Sequence, residues 1–284
     1  MVKRILVTGA SGFIGRHTVQ LLEDEGFYVI RGVRRPVDEK ESEYFIYIDL
    51  NNPEQILALE ESIHCDAIVH LGAVVGLNGA GDSDLFLPNV LSSGCIAHLA
   101  RSWDAHLIFA SSVMVNGSKT EKIQLDSPLN PDTPYGRSKA LSEMLLQASG
   151  TKYCVLRLAG VFGFNGPAHL GLNRAITTVI NGGLPTQIGS GRALRNYVYV
   201  KDVAKAICHA IEVDLRGIHL VAGGEVLSIS EMLQLLCDEF RFGKQPVIRV
   251  GGEATDQIIS PSTYLPKSRS FQEALNDIHK EISV

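Results

Sequence analysis

Tyr135 and Lys139 stand four positions apart in a segment whose pattern predicts a helix beginning near Pro134. Residues at this spacing share one face of a helix, so the lysine ammonium would lie near the phenol. A nearby positive charge favours the phenolate and lowers the pKa of a tyrosine from about 10 toward neutral pH. The pair therefore predicts a general acid/base. The same spacing is common on surface helices, so taken alone it is weak evidence for chemistry.

A second stretch that could form a functional site is rich in glycine. It reads Thr8-Gly9-Ala10-Ser11-Gly12-Phe13-Ile14-Gly15. It follows an apolar run at residues 5–7 and continues into an amphipathic segment at residues 13–25, which predicts a strand-to-helix turn. Glycines at such a turn let a diphosphate approach the N–H groups at the positive end of the helix. The context predicts dinucleotide binding, and an ordinary Gly-rich turn is the alternative.

The elements that must hold these residues alternate between strands and helices over residues 1–160. Strands are predicted at residues 5–7, 27–30, 44–48, 67–73, 106–110 and 153–158. Such alternation predicts an α/β fold, with a doubly wound parallel sheet in a dinucleotide-binding domain. The pattern becomes mixed from residue 161, which predicts a smaller C-terminal substrate lobe over residues 161–284. Residues 202–221 are predicted to return to the main sheet as a helix and a strand.

Composition narrows the classes of partner. The 284 residues carry a formal net charge of −5, with 45% apolar and 20% charged residues, which argues against nucleic acid. No apolar run has membrane-spanning length and no signal peptide precedes the first strand, so we expect no membrane contact and a cytoplasmic location. The five cysteines are spread through apolar runs, which predicts buried thiols in a reducing compartment and no metal site.

The Gly-rich stretch resembles the fingerprint Thr-Gly-x-x-Gly-Phe/Tyr-Ile-Gly of the extended short-chain dehydrogenase/reductases, of the NAD-dependent epimerase/dehydratase type. The resemblance covers nearly the whole chain and is weak after about residue 245. It implies a Rossmann fold that binds a nicotinamide dinucleotide. The cofactor contacts it implies, besides the acid/base pair above, are Gly9, Ser11, Gly12, Phe13, Ile14, Gly15, Arg34, Arg35, Asp49, Leu50, Leu71, Gly72 and Ala73.

The same resemblance implies a catalytic set of three residues, Ser112, Tyr135 and Lys139. Ser112 would bind the substrate oxygen and orient it toward Tyr135, and Ser111 is the fallback for this role. Tyr135 would exchange the proton. Lys139 would hold the cofactor ribose and lower the pKa of the phenol.

The end of the second strand predicts which dinucleotide is used. A carboxylate there hydrogen-bonds the ribose 2′-OH of NAD, whereas an arginine accommodates the 2′-phosphate of NADP. Val33 occupies the usual acidic position, and Arg34 and Arg35 follow it. This pattern predicts NADP, with NAD less favoured. Two solvated loop arginines are the alternative.

Arg195 lies in a segment similar to Arg-Asp-Phe-Val-Tyr-Val-x-Asp-Val-Ala of nucleotide-sugar members, which implies contact with a substrate diphosphate. A structural ion pair is the alternative for Arg195. Nucleotide-sugar 4,6-dehydratases carry Asp-Glu directly after the catalytic Thr, whereas this chain has Val113 and Met114 at those positions. Without that acid/base pair the elimination of water has no catalyst, so we do not expect a dehydratase.

We therefore predict an NADP-dependent oxidoreductase that reduces a nucleotide-linked 4-keto sugar, with Tyr135 as general acid. The chain is shorter than most sugar epimerases of the family, which favours its small 4-keto reductases. A nucleotide-sugar epimerase with tightly bound NAD(P) is the nearest alternative, followed by a reductase of a non-sugar ketone. A non-catalytic NADP(H)-binding sensor or scaffold is the alternative of another class; such relatives usually lack the tyrosine or the lysine, and both are present here.

Family members pair helices across a two-fold axis, so the resemblance also implies a homodimer. Helices are predicted over residues 85–101 and 135–149, and Asn89 on the first would brace neighbouring backbone. The apolar residues that could form the dimer face are Leu85, Leu91, Ile96, Leu99, Leu141, Met144 and Leu145. The alternative is that they only pack on the sheet.

Overall fold

The computed structural model describes residues 3–35, 43–76 and 79–283. The chain divides into two compact units. The first unit comprises Met1–Ser118, Asp126–Arg157 and Ala204–His219. The second unit comprises Lys119–Leu125, Leu158–Val203 and Leu220–Val284.

The regular elements of the described residues are as follows in chain order. The strands are β1 (Arg4–Thr8), β2 (Tyr28–Val33), β3 (Phe45–Tyr47), β4 (Ala67–His70), β5 (His106–Ser112), β6 (Lys122–Ile123), β7 (Tyr153–Leu158), β8 (Val161–Phe162), β9 (Thr186–Ile188), β10 (Leu194–Arg195), β11 (Val198–Tyr199), β12 (Gly217–Val221), β13 (Leu227–Ser228), β14 (Val247–Arg249) and β15 (Ile258–Ile259). The α-helices are α1 (Phe13–Asp24), α2 (Pro53–Leu57), α3 (Leu59–Ser62), α4 (Asp82–Leu85), α5 (Ser92–Ser102), α6 (Pro134–Ala148), α7 (Gly171–Ile180), α8 (Val200–Glu212), α9 (Ile229–Phe240) and α10 (Phe271–Ile282).

The main sheet has seven strands in the order β12-β7-β5-β4-β1-β2-β3. Leu6 of β1 lies opposite Ile30 of β2 and Ile68 of β4, in parallel register on both sides. Ile5, Leu6 and Val7 are fully buried, because both faces of a parallel sheet are covered by helices and its strands must be apolar throughout. The chain winds outward from β1 in one direction and from β4 in the other, so the sheet has a switch point between them. The prediction of a doubly wound parallel sheet is confirmed.

The helix predicted over residues 85–101 is interrupted. α4 ends at Leu85, the segment Phe86–Leu91 forms a π-helical turn, and α5 begins at Ser92. Pro88 lies inside this turn, and a proline cannot donate to the regular helical hydrogen-bond ladder. In the next position, the Asn89 amide accepts from the Val74 N–H and donates to the Val74 carbonyl, both at 2.8 Å. The prediction that Asn89 braces neighbouring backbone is confirmed.

A hydrophobic core of the first unit lies between the sheet and α5 and includes Ile96, Leu99 and Phe109. Ile96, Leu99 and Leu85 are fully buried, so the expectation that these three form a dimer face is wrong. They pack inside the unit, as the alternative held. The other residues of the expected face are exposed: Leu91, Leu141, Met144 and Leu145.

The second unit is built from short paired strands and helices. β10 and β13 pair antiparallel, while β11 with β8, β14 with β9 and β15 with β6 pair in parallel. Its last helix, α10, is held by polar contacts: the Tyr199 hydroxyl donates to Asp277 at 2.9 Å, and Lys201 forms ion pairs with Asp277 and Glu281.

The five cysteines are buried free thiols, which confirms their predicted burial. Burial raises the pKa of Cys65 and Cys154 to about 12 and that of Cys208 to about 11. In the described part of the chain, no helix combines the length and the apolar character needed to cross a bilayer.

Candidate active site

The Gly-rich turn connects β1 to α1 at the carboxyl end of β1. The Gly12 N–H donates to the Gly9 carbonyl at 2.9 Å and closes the turn. Gly9 has a φ of +68°, and a Cβ at this position would lie 2.8 Å from the Gly72 nitrogen. A Cβ at Gly15 would overlap the Gly9 carbonyl oxygen. The turn therefore needs glycine to touch both the segment after β4 and the first turn of α1.

A cleft of about 230 Å³ lies at this turn. The predicted cofactor residues that line it are Gly9, Ser11, Gly12, Arg34, Leu50, Leu71, Gly72 and Ala73. Residues that were not predicted as contacts also line it: Thr8, Gly32, Val33, Ile48, Asn51, Val74 and Pro88. Val74 and Pro88 are far from the Gly-rich turn in sequence, and no local motif points to them.

The other predicted cofactor residues, Tyr135 and Lys139 among them, do not line the cleft. Phe13, Ile14 and Gly15 form the first turn of α1. The Arg35 guanidinium lies 4.8 Å from the centre of the Phe45 ring. The Asp49 carboxylate accepts from the Asn51 N–H at 3.0 Å, while Asn52 caps α2 by accepting from Gln55.

The lining of the cleft fits a dinucleotide. A Cβ at Gly32 would come within 2.8 Å of the Ile48 side chain, and one at Gly72 within 2.9 Å of the Leu50 side chain, so larger residues would fill the space. The first turn of α1 carries no acidic residue, so its N–H groups and positive dipole end can receive a phosphate.

A hydrogen-bond chain ties the cleft wall to α5. The Gly72 N–H donates to the Thr8 hydroxyl at 3.2 Å, and Thr8 lies 2.7 Å from His70 Nδ1. On the other side, His70 Nε2 lies 3.2 Å from Ser93, whose hydroxyl donates to the Asn89 carbonyl. Because the Ser93 hydroxyl hydrogen is used by Asn89, Nε2 must carry a proton, and in the neutral ring Nδ1 accepts from the Thr8 hydroxyl. Burial and the Lys139 charge lower the pKa of His70 to about 3, which keeps the ring neutral.

The predicted catalytic residues lie where β5 meets α6. Thr133 caps α6 by accepting from the Gly136 N–H at 3.0 Å, which sets the start of the helix just before Tyr135. Lys139 is buried, donates to the Ala110 carbonyl at 2.7 Å, and has its Nζ 5.8 Å from the centre of the Tyr135 ring. Ser112 ends β5 two positions after Ala110, so β5 and α6 bring the three residues together in the first unit.

The two candidate serines differ in their surroundings. Ser111 is buried, and its hydroxyl donates to Glu143 at 2.5 Å. Ser112 is partly exposed, and its oxygen accepts from the Met114 N–H at 3.2 Å. The Ser112 hydroxyl hydrogen is not used by that bond, so Ser112 fits the substrate-binding role better than Ser111.

The acid/base electrostatics differ from the expectation. Burial raises the pKa of Tyr135 to about 12 instead of the lysine lowering it. Burial also lowers the pKa of Lys139 to about 7, while the Glu143 charge opposes this shift. The lysine is therefore only partly protonated near neutral pH, and its charge does not offset the desolvation of the phenol.

The family model described as "NAD dependent epimerase/dehydratase family" matches residues 5–223 of this chain. The chain belongs to this family. The match spans the Gly-rich turn, β5 and α6, and so contains the cleft and the Ser112, Tyr135 and Lys139 group.

Relatives of this family member are named as epimerases, as dTDP-D-glucose 4,6-dehydratases and as a dTDP-4-dehydrorhamnose reductase. A putative UDP-glucose 4-epimerase of Methanocaldococcus jannaschii is 28% identical over 263 residues, covering 84% of this chain and 83% of that protein. The structure of a UDP-glucose 4-epimerase from Thermotoga maritima with UDP-glucose has a TM-score of 0.85 at 22% identity, covering 99% of this chain and 98% of that chain. A UDP-glucose 4-epimerase of Thermus thermophilus in complex with NAD has a TM-score of 0.81 at 25% identity, covering 99% of each chain.

In this epimerase/dehydratase family member, Arg195 belongs to the second unit. Its Nη1 donates to the carbonyls of Leu194 at 2.8 Å and Thr255 at 2.5 Å. The Tyr197 hydroxyl is hydrogen-bonded to the same guanidinium. A Cβ at Gly160 would overlap two atoms of the Tyr197 ring, so the ring fills the space that a larger residue would need.

One buried group of this family member was missed from the sequence. Glu143 follows Lys139 by one helical turn and forms an ion pair with Arg157 of β7 at 2.7 Å. The signal was available, because Tyr135, Lys139 and Glu143 share one face of α6 at a spacing of four. Its Arg157 partner is adjacent only through the sheet topology.

Proposed function

We propose that this protein is a nucleotide-sugar 4-epimerase that uses a nicotinamide dinucleotide. The observation that carries the proposal is the bond from Lys139, one turn after Tyr135, to the Ala110 carbonyl of β5, two positions before Ser112, in the same unit as a glycine-lined cleft that fits the cofactor. An epimerase and a reductase of this family would both need Ser112, Tyr135 and Lys139. The epimerase names of relatives that cover most of this chain favour inversion over the net reduction predicted from the sequence.

The roles of the residues follow from their chemistry. A bound nicotinamide dinucleotide would supply a hydride acceptor, the return of that hydride and, when oxidised, a positive charge that favours the Tyr135 phenolate. Tyr135 takes the proton from the hydroxyl at the reacting carbon and later returns a proton to the same oxygen. Ser112 holds that oxygen by a hydrogen bond, and the Lys139 ammonium favours phenolate while the proton is absent.

Val113 and Met114 argue against the dehydratase half of the family name. Val113 is buried, and both residues are apolar where an acid/base pair is needed for elimination of water. Arg195 remains our candidate for the substrate diphosphate, because its contacts to two main-chain carbonyls fix the guanidinium without neutralising its charge.

The test is a product analysis with UDP-glucose and other nucleotide hexoses that carry deuterium in place of the hydrogen at C4. An epimerase converts each accepted substrate to its C4 epimer with only catalytic amounts of cofactor, and the label stays on the sugar. Stoichiometric oxidation of NADPH by a nucleotide-linked 4-keto sugar, with no interconversion of epimers, would instead support the reductase. Loss of water from dTDP-glucose would support the dehydratase.

We infer a preference for NADP from Arg34, which lines the cleft directly after Val33 at the end of β2. The change Arg34→Ala should weaken NADPH binding by about tenfold, because a charge-assisted hydrogen bond to the 2′-phosphate is lost. NADH binding should stay the same, because NADH carries no such phosphate. Calorimetric titration of both cofactors into parent and variant measures this. Tighter binding of NADH than NADPH by the parent would contradict the preference.

We also propose a homodimer that pairs the exposed apolar residues of α6, Leu141, Met144 and Leu145. Placing a charge at Met144, 58% exposed, should prevent a second copy from packing there. Light scattering should give twice the 30.9 kDa chain mass for the parent and the single mass for Met144→Glu. Val250→Glu, at an exposed apolar residue of the second unit, is the matched control and should leave the dimer intact. A monomeric parent at micromolar concentration refutes the proposal.

A further inference from the structure

Glu143 is a carboxylate with no exposed side-chain surface, and its partner Arg157 is 5% exposed. Arg157 Nε donates to both carboxylate oxygens at 3.1 and 3.2 Å, and Nη2 donates to Oε2 at 2.7 Å. Ser111 donates to Oε1. Taking two charges out of water is costly, and apolar residues of similar volume often stabilise a fold as well. Stability alone therefore does not explain why this ion pair is buried here.

The position of the pair indicates that use. Lys139 of α6 donates to the Ala110 carbonyl, and Glu143, one turn further along α6, accepts from Ser111, the next residue of β5. These two bonds fix α6 against β5 directly before Ser112. Ala110 and Ser111 are consecutive residues of β5, so the ammonium and the carboxylate that bond to them lie near each other in a buried space, without a direct ion pair between them.

We propose that Glu143 is a positioning residue whose negative charge favours the ammonium form of the Lys139 side chain in its buried site, with Arg157 and Ser111 holding the carboxylate in place. This inference deepens the proposed function and rests on it, because it gives the phenol of Tyr135 the cation that the reaction uses. Glu143 contacts neither substrate nor cofactor in this scheme and acts through Lys139.

The charged and titratable groups around Lys139 support this assignment. Tyr135 and Glu143 lie on α6, His70 lies on β4, and Arg157 lies on β7 behind the carboxylate. His70 is neutral, and desolvation raises the pKa of the partly exposed Tyr135 to about 12, so its phenol carries no charge at neutral pH. Glu143 is the group among these that raises the pKa of Lys139, against the burial that lowers it to about 7.

The first test is the titration of Lys139 itself by ¹⁵N NMR of lysine-labelled protein without cofactor or substrate, with the Lys139→Met spectrum as assignment. In Glu143→Gln the pKa of Lys139 should fall by about one unit or more, because an opposite charge is removed at close range. The alkaline limb of kcat/KM should move to lower pH by the same amount. Glu143→Gln leaves Arg157 buried without its partner, so Glu143→Gln/Arg157→Met is a second variant that removes both charges.

The matched control is Asp82→Asn/Arg137→Met, which removes a carboxylate–arginine pair joined at 2.9 Å from the exposed side of the same helix. This control should leave the Lys139 titration at its parent position. If Lys139 titrates at the parent pH in Glu143→Gln and in the double variant, the proposal is overturned. Because the titration uses neither substrate nor cofactor, its outcome is separate from whether the chain is an epimerase.

Discussion

The change Tyr135→Phe is expected to lower kcat by about 10²–10⁴-fold, the usual contribution of a positioned acid/base. Only the phenol oxygen is removed, so the ring still packs at the start of α6. Cofactor affinity should stay close to that of the parent, since the proposed role of the hydroxyl concerns the proton on the substrate oxygen.

This prediction is measured by steady-state kinetics on whichever nucleotide sugar the product analysis identifies, together with a cofactor titration. Tyr264→Phe is the matched control, because it removes the same hydroxyl from an exposed tyrosine of the second unit and should keep the parent rate. A Tyr135→Phe protein that turns over at the parent rate would show that another group moves the proton.

Lys139→Met is expected to lose both turnover and cofactor affinity. Turnover should fall by about 10²-fold or more, because the phenolate loses its stabilising cation. The dissociation constant of the cofactor should rise by about tenfold, the typical cost of losing a hydrogen bond from a charged group. Unchanged cofactor affinity would remove the ribose-binding role from Lys139.

The same variant has a pH signature in the unfolding of the cofactor-free protein. The pKa of Lys139 is about 7 in the fold and near 10.5 when the chain is unfolded. Between these values the unfolded state binds more protons, so Lys139 makes the free energy of unfolding rise with pH, by up to about 1.4 kcal/mol per unit. Below a pH of about 7 both states hold the charged lysine, so the cost of burying its charge lowers the free energy of unfolding in full. Denaturant unfolding at pH 7 and 8.5 should show a rise in the parent that is absent in Lys139→Met, which should also be the more stable protein at pH 7.

The fold was predictable because its signals are local. A buried strand, a turn and a helix are predicted by the apolar run at residues 5–7 and the glycines that follow it. The structure has β1 and α1 at these positions. Tyr135 and Lys139 are one turn apart on a single helix, so their juxtaposition needs no knowledge of the tertiary structure.

The parts that were missed depend on tertiary structure. The raised pKa of Tyr135 comes from burial, which the spacing to Lys139 does not reveal. Arg157 meets Glu143 only because β7 lies beside β5 in the sheet. The break at Pro88 is the exception, because its signal is local: a proline has no N–H to donate to the helical ladder, although the apolar periodicity continues across it.

The choice between reductase and epimerase could not be predicted from the sequence for a different reason. In the proposed scheme, both reactions would use the same kinds of hydride and proton transfer and the same three side chains. They differ in whether the oxidised sugar stays bound and turns its other face to the cofactor, which depends on the lifetime of a complex and not on a motif. Chain length favoured the reductase, and the relatives favour the epimerase.

The burial of all five cysteines has a practical consequence for experiments on this protein. Thiol reagents attack thiolates, and buried thiols with raised pKa values supply almost none while the chain is folded. A cysteine introduced at an exposed position can therefore carry a fluorophore without first removing the native ones. The labelling rate of each native thiol then reports how often its surroundings open. The order in which the five are labelled shows which part of the protein opens first.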